Sequence, residues 1–140
     1  MPRRVRVRIE VPRGSFLKHR PDGTLDYASP LPCPFNYGSV LDTVAADGDP
    51  LDAIVLGPRI DPGVEVDSDV QAVVWIRDAG VIDDKLICSD TPLTSKDRQQ
   101  INRFFRLYSV TKRALNLVRR RQGTTAFEGW ADQERSNSED

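Results

Sequence analysis

The spacing of the apolar residues changes near Ser95, and this change limits the fold more than any other feature of the sequence. Before Ser95, apolar residues alternate with polar ones or form short runs, and glycines and prolines separate these segments. That pattern predicts short β-strands joined by turns. After Ser95 the apolar residues follow the i, i+3, i+4, i+7 spacing of an amphipathic helix, at Ile101, Phe104, Phe105 and Tyr108. The sequence therefore predicts a β-rich domain with helical structure near its C-terminal end.

The predicted strands differ in how they are patterned. Residues 3–11 alternate strictly between charged and β-branched side chains, which indicates a half-buried strand that ends at Pro12. We predict further strands at residues 51–56, 64–76 (broken near Ser68), 83–88 and 124–130. Residues 13–34 are rich in proline and glycine, so we expect turns there, with at most a short hairpin around Lys18 and Leu25.

The late helix is expected to begin at Thr94 or Ser95, because either residue can cap it and Asp97 then lies in its first turn. Leu115 and Val118 indicate a further helical piece. Closure of the strands into a small barrel, with the helices outside, would remove exposed strand edges. We predict one domain over residues 1–131, followed by a polar tail at 132–140 that is expected to be disordered.

Composition excludes several classes of function. The net charge of −1 gives no global basic field, so we do not expect binding to nucleic acid. No apolar run is long enough for a membrane span or a secretory signal. The two cysteines, Cys33 and Cys88, lack the spacing of a zinc site or a disulfide scaffold. We therefore expect a protein of the reducing cytoplasm.

The chemistry is concentrated at residues 47–52, DGDPLD, where three carboxylates precede an apolar run. Gly48 and Pro50 mark a tight turn, so the carboxylates are held where a buried strand begins. Clustered carboxylate oxygens favour a hard divalent cation such as Mg²⁺. A solvated turn, in which aspartates cap backbone amides, is the alternative for such a motif taken alone. An EF-hand calcium loop is a poor alternative, because Asp52 and Pro58 occupy the positions that need glycine and glutamate.

Six segments occur in the order seen in family I (soluble) inorganic pyrophosphatases, which the chain resembles over residues 7–130. They are IEVP at residues 9–12, PFNYG at 34–38, DGDPLD at 47–52, DDK at 83–85, FF at 104–105 and EGW at 128–130. The resemblance implies a five-stranded OB-like barrel with one or two flanking helices. It also implies hydrolysis of pyrophosphate with Mg²⁺, for which Mn²⁺ can substitute, and homo-oligomers that are often hexamers in bacteria.

The same resemblance implies roles for individual residues. The carboxylates that match metal ligands are Asp47, Asp52, Asp78 and Asp83. The positions that match groups beside the attacking water or its metals are Asp49 as general base, Glu10 and Tyr37. The positions that match contacts to phosphate are Lys18, Lys85 and Tyr108.

Several positions depart from the family pattern, mostly on the side that holds phosphate. Leu25 replaces an arginine, Ser109 a lysine and Cys33 a tyrosine, Lys18 is followed by His19-Arg20 without the acidic residue of the family, and Ala79 replaces an acidic residue. Loss of charged phosphate contacts weakens binding of a small anion. Three hypotheses follow: an ordinary pyrophosphatase whose contacts are restored by Arg20, Lys112 or Arg113, a hydrolase of organic diphosphates or phosphate esters, and an inactive protein that binds or assembles.

Overall fold

The computed structural model describes residues 3–15, 17–19, 25–28, 34–44, 48–118 and 123–135. The described residues form nine strands and one helix: β1 (Arg3–Val11), β2 (Leu17–His19), β3 (Leu25–Ala28), β4 (Asn36–Val40), β5 (Asp52–Val55), β6 (Glu65–Asp78), β7 (Val81–Ile82), β8 (Lys85–Cys88), α1 (Ser95–Val118) and β9 (Ala126–Ala131). The predicted strands and late helix are therefore present. β2 and β3 form the short hairpin around Lys18 and Leu25.

Five of the strands close into a ring, in the order β1-β4-β5-β8-β6, and β6 pairs back onto β1. All neighbours in the ring are antiparallel except β5 and β8, which are parallel. β7 and β9 add to the free edges of the long strand β6. The ring leaves no open edge among its five strands, as the predicted barrel requires.

The two longest strands show why the barrel closes. Val7 and Ile9 point into the barrel, whereas the arginines of β1 point outward toward acidic residues of β6. The prediction of a break near Ser68 was wrong, because β6 runs without interruption from residue 65 to 78. The polar residues there continue the alternation: Ser68 is buried, and Asp67 ion-pairs with Arg6 on the outer face.

Apolar residues lie in two layers, one on each side of the ring. The barrel interior contains Val7, Ile9, Val40, Leu51, Ala53, Val55, Val73, Leu86 and Cys88. The layer between barrel and helix contains Val11, Phe35, Ile54, Ala72, Val74, Ile76, Ile87, Ile101 and Phe105. β5 and β8 contribute alternate residues to both layers, so their backbone positions are fixed from both sides.

α1 is one continuous helix, so the separate piece predicted around Leu115 and Val118 is its last part. Thr94 caps it reciprocally: its Oγ1 accepts from the Asp97 N–H at 3.0 Å, and its own N–H donates to Asp97 Oδ2 at 3.0 Å. The Trp130 indole donates to Asn102 Oδ1 at 2.7 Å, which joins β9 to the helix. Within the described part of the chain, no helix is long and apolar enough to cross a membrane.

The start of the predicted tail is held by polar contacts. Glu134 pairs with Arg3, and the backbone carbonyl of Gln133 accepts a hydrogen bond of 2.8 Å from the Trp75 indole. Arg135 bonds to Asp84. Residues 136–140 lie outside the described part of the chain.

Candidate active site

The ring topology brings polar residues of three neighbouring strands into one row. Ser39 of β4 is the register partner of Asp52 in β5, and Asp52 is the register partner of Lys85 in β8. Register partners point to the same face of a sheet and lie close enough for their side chains to interact. Because Asp52 and Lys85 precede Ile54 and Ile87 by two residues, the row lies on the helix side of the barrel wall.

Lys85 is the centre of this row and is almost completely buried. Its Nζ donates to Asp52 Oδ2 at 2.6 Å and to Asp83 Oδ1 at 2.8 Å. Burial by itself lowers the pKa of this ammonium, but the attraction of Asp52 and Asp83 outweighs that effect and raises the pKa well above its usual value. Lys85 is therefore a buried cation, and the carboxylates beside it keep some exposure, 23% for Asp52 and 16% for Asp83.

Two tyrosines border the buried cation. Lys85 Nζ lies 5.6 Å from the centre of the Tyr37 ring. Burial, and then the negative charge of Asp52, raises the pKa of the Tyr37 phenol well above its usual value. The Tyr37 hydroxyl consequently stays protonated and can donate a hydrogen bond near neutral pH. Tyr108 is close enough to act electrostatically on both Tyr37 and Lys85, while its ring packs against Phe105.

Glu10 reaches the same row from β1 through a bulge. The pairing of β1 with β4 shifts between Ile9 and Val11, which leaves Glu10 as the extra residue. Ser39 Oγ donates to Glu10 Oε2 at 3.0 Å. The close approach of β1 requires a glycine at Gly38, because a Cβ there would lie 1.9 Å from the Arg8 carbonyl oxygen.

The remaining predicted residues are placed in different ways. Asp49 is exposed on the turn that follows Gly48, and Asp78 is half-buried at the end of β6, opposite Val81. Asp47 and the side chain of Lys18 lie outside the described residues. Among the residues that are described, no three His, Cys, Asp or Glu side chains form a group that could hold a metal ion. The site roles of the ten predicted residues therefore stay predictions.

The structure also places some of the residues that depart from the family pattern. Ser109 is buried in α1, and its Oγ has no hydrogen-bond partner among the described residues. Arg113 is exposed and donates from Nε to the Thr125 carbonyl at 2.9 Å, a contact that ties the helix to the start of β9. The side chains of Leu25 and Lys112, and the whole of Arg20 and Cys33, lie outside the described part. Burial raises the pKa of the other cysteine, Cys88, to about 12, so this thiol is not a nucleophile at neutral pH.

The donor set fits a hard divalent cation. Asp52 Oδ2 and Asp83 Oδ1 converge on one positive charge, the Lys85 ammonium. Such oxygens are the ligands that Mg²⁺ prefers. Ser39 links Glu10 to the row and was not predicted from the sequence, since only the strand register reveals its position.

Comparison with known proteins identifies the family of this chain. The profile of the family described as inorganic pyrophosphatase matches residues 2–138. An inorganic pyrophosphatase of Saccharolobus solfataricus is 34% identical over 110 residues, which cover 72% of this chain and 63% of that protein. An inorganic pyrophosphatase of Gluconobacter oxydans is 31% identical over 123 residues, which cover 82% of this chain and 71% of that protein. The matched part thus spans just under two thirds of the first relative.

Solved structures give the same result. The crystal structure of an inorganic pyrophosphatase from Thermus thermophilus aligns with a TM-score of 0.75 at 30% identity, covering 94% of this chain and 83% of that one. A pyrophosphatase from Coxiella burnetii aligns with a TM-score of 0.71 at 27% identity, covering 92% and 86%. The OB-like barrel implied by the sequence motifs is confirmed. The chain belongs to the inorganic pyrophosphatase family, whose enzymes depend on divalent metal ions.

Proposed function

We propose that this protein hydrolyses pyrophosphate to two phosphates with Mg²⁺ as the metal. The observation that carries the proposal is the buried Lys85 ammonium, held between the partly exposed carboxylates of Asp52 and Asp83. Removing charges from water costs folding free energy. A cluster that keeps its carboxylates accessible is better suited to binding ions than to stabilising the fold.

The proposed metal ligands are Asp52 and Asp83, joined by Asp47 and Asp78. A divalent ion held there would lower the pKa of a coordinated water and neutralise phosphate oxygens. Asp49 takes the proton from the attacking water, whose oxygen bonds to one phosphorus while the bridging P–O bond breaks. The second phosphate leaves with the bridging oxygen.

The substrate is held by hydrogen-bond donors that lie next to the carboxylates. An ammonium has three N–H donors, and two of those on Lys85 bond to Asp52 and Asp83. We propose that the third donates to a phosphate oxygen. The protonated Tyr37 hydroxyl supplies a neutral donor at the same place, and Tyr108 and Lys18 are proposed as further contacts. Glu10, held by Ser39, acts on the metal side through water.

The direct test is phosphate release from pyrophosphate with Mg²⁺, comparing the wild type with Asp49→Asn. We expect the variant to lose at least about a hundredfold in turnover, because removal of a general base typically costs that much or more. Asp61→Asn is the matched control, since Asp61 is an exposed turn aspartate that pairs with Arg59. Its turnover should equal that of the wild type.

The other hypotheses from the sequence become outcomes of the same assay. Faster phosphate release from an organic diphosphate or phosphate ester than from pyrophosphate would contradict the proposed substrate. Binding of Mg²⁺ or Mn²⁺ with no release from any substrate would mean an inactive binding protein. A cytoplasmic location and a homo-oligomer, such as a hexamer, stay predictions from the resemblance. Light scattering of the purified protein tests the assembly.

A further inference from the structure

The C-terminal end of the described chain contacts the segment that supplies the site. Asp84 lies between Asp83 and Lys85, and its side chain is 1% exposed. It does not join the carboxylates around Lys85 but bonds to groups on β6 and in the C-terminal segment. The backbone at this point therefore depends on whatever holds Asp84.

Arg135 holds Asp84 through both carboxylate oxygens. Its Nη2 donates to Asp84 Oδ1 at 2.7 Å, its Nε donates to Oδ2 at 3.1 Å, and its backbone N–H donates to Oδ2 at 2.8 Å. This is a bidentate pair with a third bond from the main chain, and both side chains are largely buried. Such pairs fix orientation more strictly than a single contact does.

The pair of Arg135 and Asp84 lies where β6 and β8 diverge. Their last register pair is Val74 with Lys85, so Ile76 has no backbone partner within β8. Instead, the Ile76 N–H donates to Asp84 Oδ1 at 3.1 Å, and its carbonyl accepts from the Asp83 N–H at 2.8 Å. The same carbonyl accepts from Arg135 Nη2 at 3.2 Å. One residue of β6, Ile76, is thereby joined to both residues before Lys85.

Arg135 is itself held from two sides. Its Nη1 donates to Glu128 Oε1 at 2.6 Å, and its guanidinium lies 4.6 Å from the centre of the Trp75 ring. Burial opposes ionisation of Glu128, but Arg135 and Arg77 outweigh it and lower the pKa of that carboxyl. Arginine fits this position because it can bond in a plane to two carboxylates and stack on an aromatic ring.

We propose that Arg135 is a positioning residue of the candidate active site, which acts by holding Asp84. Through Asp84 it fixes the orientation of the two adjacent residues, Asp83 and Lys85. The proposal rests on the proposed function in one respect, that Asp83 is a metal ligand. It assigns a task to a segment whose sequence predicts only a polar tail.

The test compares metal binding by the full-length wild type and Arg135→Met. Calorimetric titration with Mn²⁺, and with Mg²⁺, measures affinity without turnover, and phosphate release then gives kcat and KM at saturating metal. We expect a roughly tenfold or greater loss of metal affinity, as for other residues that orient metal ligands. We expect the KM for pyrophosphate at saturating metal to rise as well, since Asp84 also orients Lys85, a proposed phosphate contact.

A second variant keeps the proposal testable if Arg135→Met does not fold. Arg135→Lys retains a charge opposite Asp84 but cannot bond to both oxygens, so we expect an intermediate loss of metal affinity. Arg3→Met is the matched control: it removes the exposed pair with Glu134 in the same segment and should leave metal affinity unchanged.

Wild-type metal affinity in folded Arg135→Met, or in Arg135→Lys if only that variant folds, would overturn the proposal. An equal loss of affinity in Arg3→Met would also overturn it, because docking of the whole segment would then be the cause. The calorimetric comparison retains its meaning if the wild type releases no phosphate from pyrophosphate. A failure of the proposed function can therefore be distinguished from a failure of the proposed positioning role of Arg135.

Discussion

The barrel carries two sets of ion pairs that use similar residues in opposite settings. On the outer face, Arg4 and Arg6 of β1 pair with Asp69 and Asp67 of β6, and both arginines are more than half exposed. In the wall of the barrel, Lys85 is 2% exposed and bonds to two carboxylates at once. The first set lies on a surface that is open to water. In the second set, water is excluded from the cation.

The difference indicates what each set does. Exposed pairs gain little, because water and salt screen them and two long side chains must be ordered. They still favour the pairing of β1 with β6, since the arginines of one strand face the carboxylates of the other. A buried cation between carboxylates is expensive to form and gains little net stability over apolar residues of the same size. Its presence at the centre of the candidate site is what the proposed function would require.

The largest expected effect is that of Lys85→Met. This change leaves Asp52 and Asp83 facing each other without their shared cation, which should lower the free energy of unfolding by about 3–5 kcal/mol. Urea denaturation measures it. A loss below about 1 kcal/mol would show that solvent already reaches the cluster and would remove the contrast between the two sets.

Asp83→Asn should have a smaller effect on stability and a large one on activity. Lys85 keeps its bond to Asp52, so we expect a loss of about 1.5 kcal/mol, the scale of one hydrogen bond to a charged group. Metal-dependent phosphate release should fall far more than stability predicts. Unchanged turnover in the folded variant would contradict a metal role for Asp83.

Measuring stability over a series of pH values tests the contribution of one exposed ion pair, that of Arg3 with Glu134. The hydrogen bond from Arg3 lowers the pKa of Glu134 below its ordinary value of 4.5, although partial burial opposes the shift. The pair therefore stabilises the fold above pH 4.5, and this contribution is lost as the pH falls through the lowered pKa. The urea midpoint of the wild type should exceed that of Glu134→Gln at pH 7, and the difference should shrink under acidic conditions. A difference that grows on acidification would have the wrong sign.

The smallest expected effect is that of Arg6→Gln, which removes one exposed pair with Asp67. The urea midpoint at physiological salt should not change measurably, since such pairs are screened. A loss of stability comparable with that of Lys85→Met would mean that the ion pairs on the outer face, rather than the core, hold β1 in place.

Local patterns were sufficient to predict much of the fold. The alternation of residues 3–11 fixes both the strand and its inward face, and the spacing from Ile101 to Tyr108 fixes the inner face of α1. The break near Ser68 was predicted wrongly because Asp67 and Asp69 look like loop residues until the arginines of β1 stand opposite them. That partner is about sixty positions away in the sequence, and no local pattern reveals it.

The candidate site shows the same limit. The carboxylate turn and the DDK segment indicate chemistry locally, but burial of Lys85 requires that β5 and β8 lie side by side and in parallel. A lysine at the start of a strand is usually solvated. Arg135 gave no local signal, because its partners lie on three other segments of the chain, at Ile76, Asp84 and Glu128.

The most direct test of this account is a triple variant, Asp52→Asn/Lys85→Met/Asp83→Asn, assayed for both stability and phosphate release. Removing all three charges together leaves no uncompensated ion, so we predict a free energy of unfolding within about 1 kcal/mol of the wild type or above it. Phosphate release from pyrophosphate should fall to background. A triple variant that is as unstable as Lys85→Met, or that still hydrolyses pyrophosphate, would contradict the claim that this buried cluster exists for catalysis.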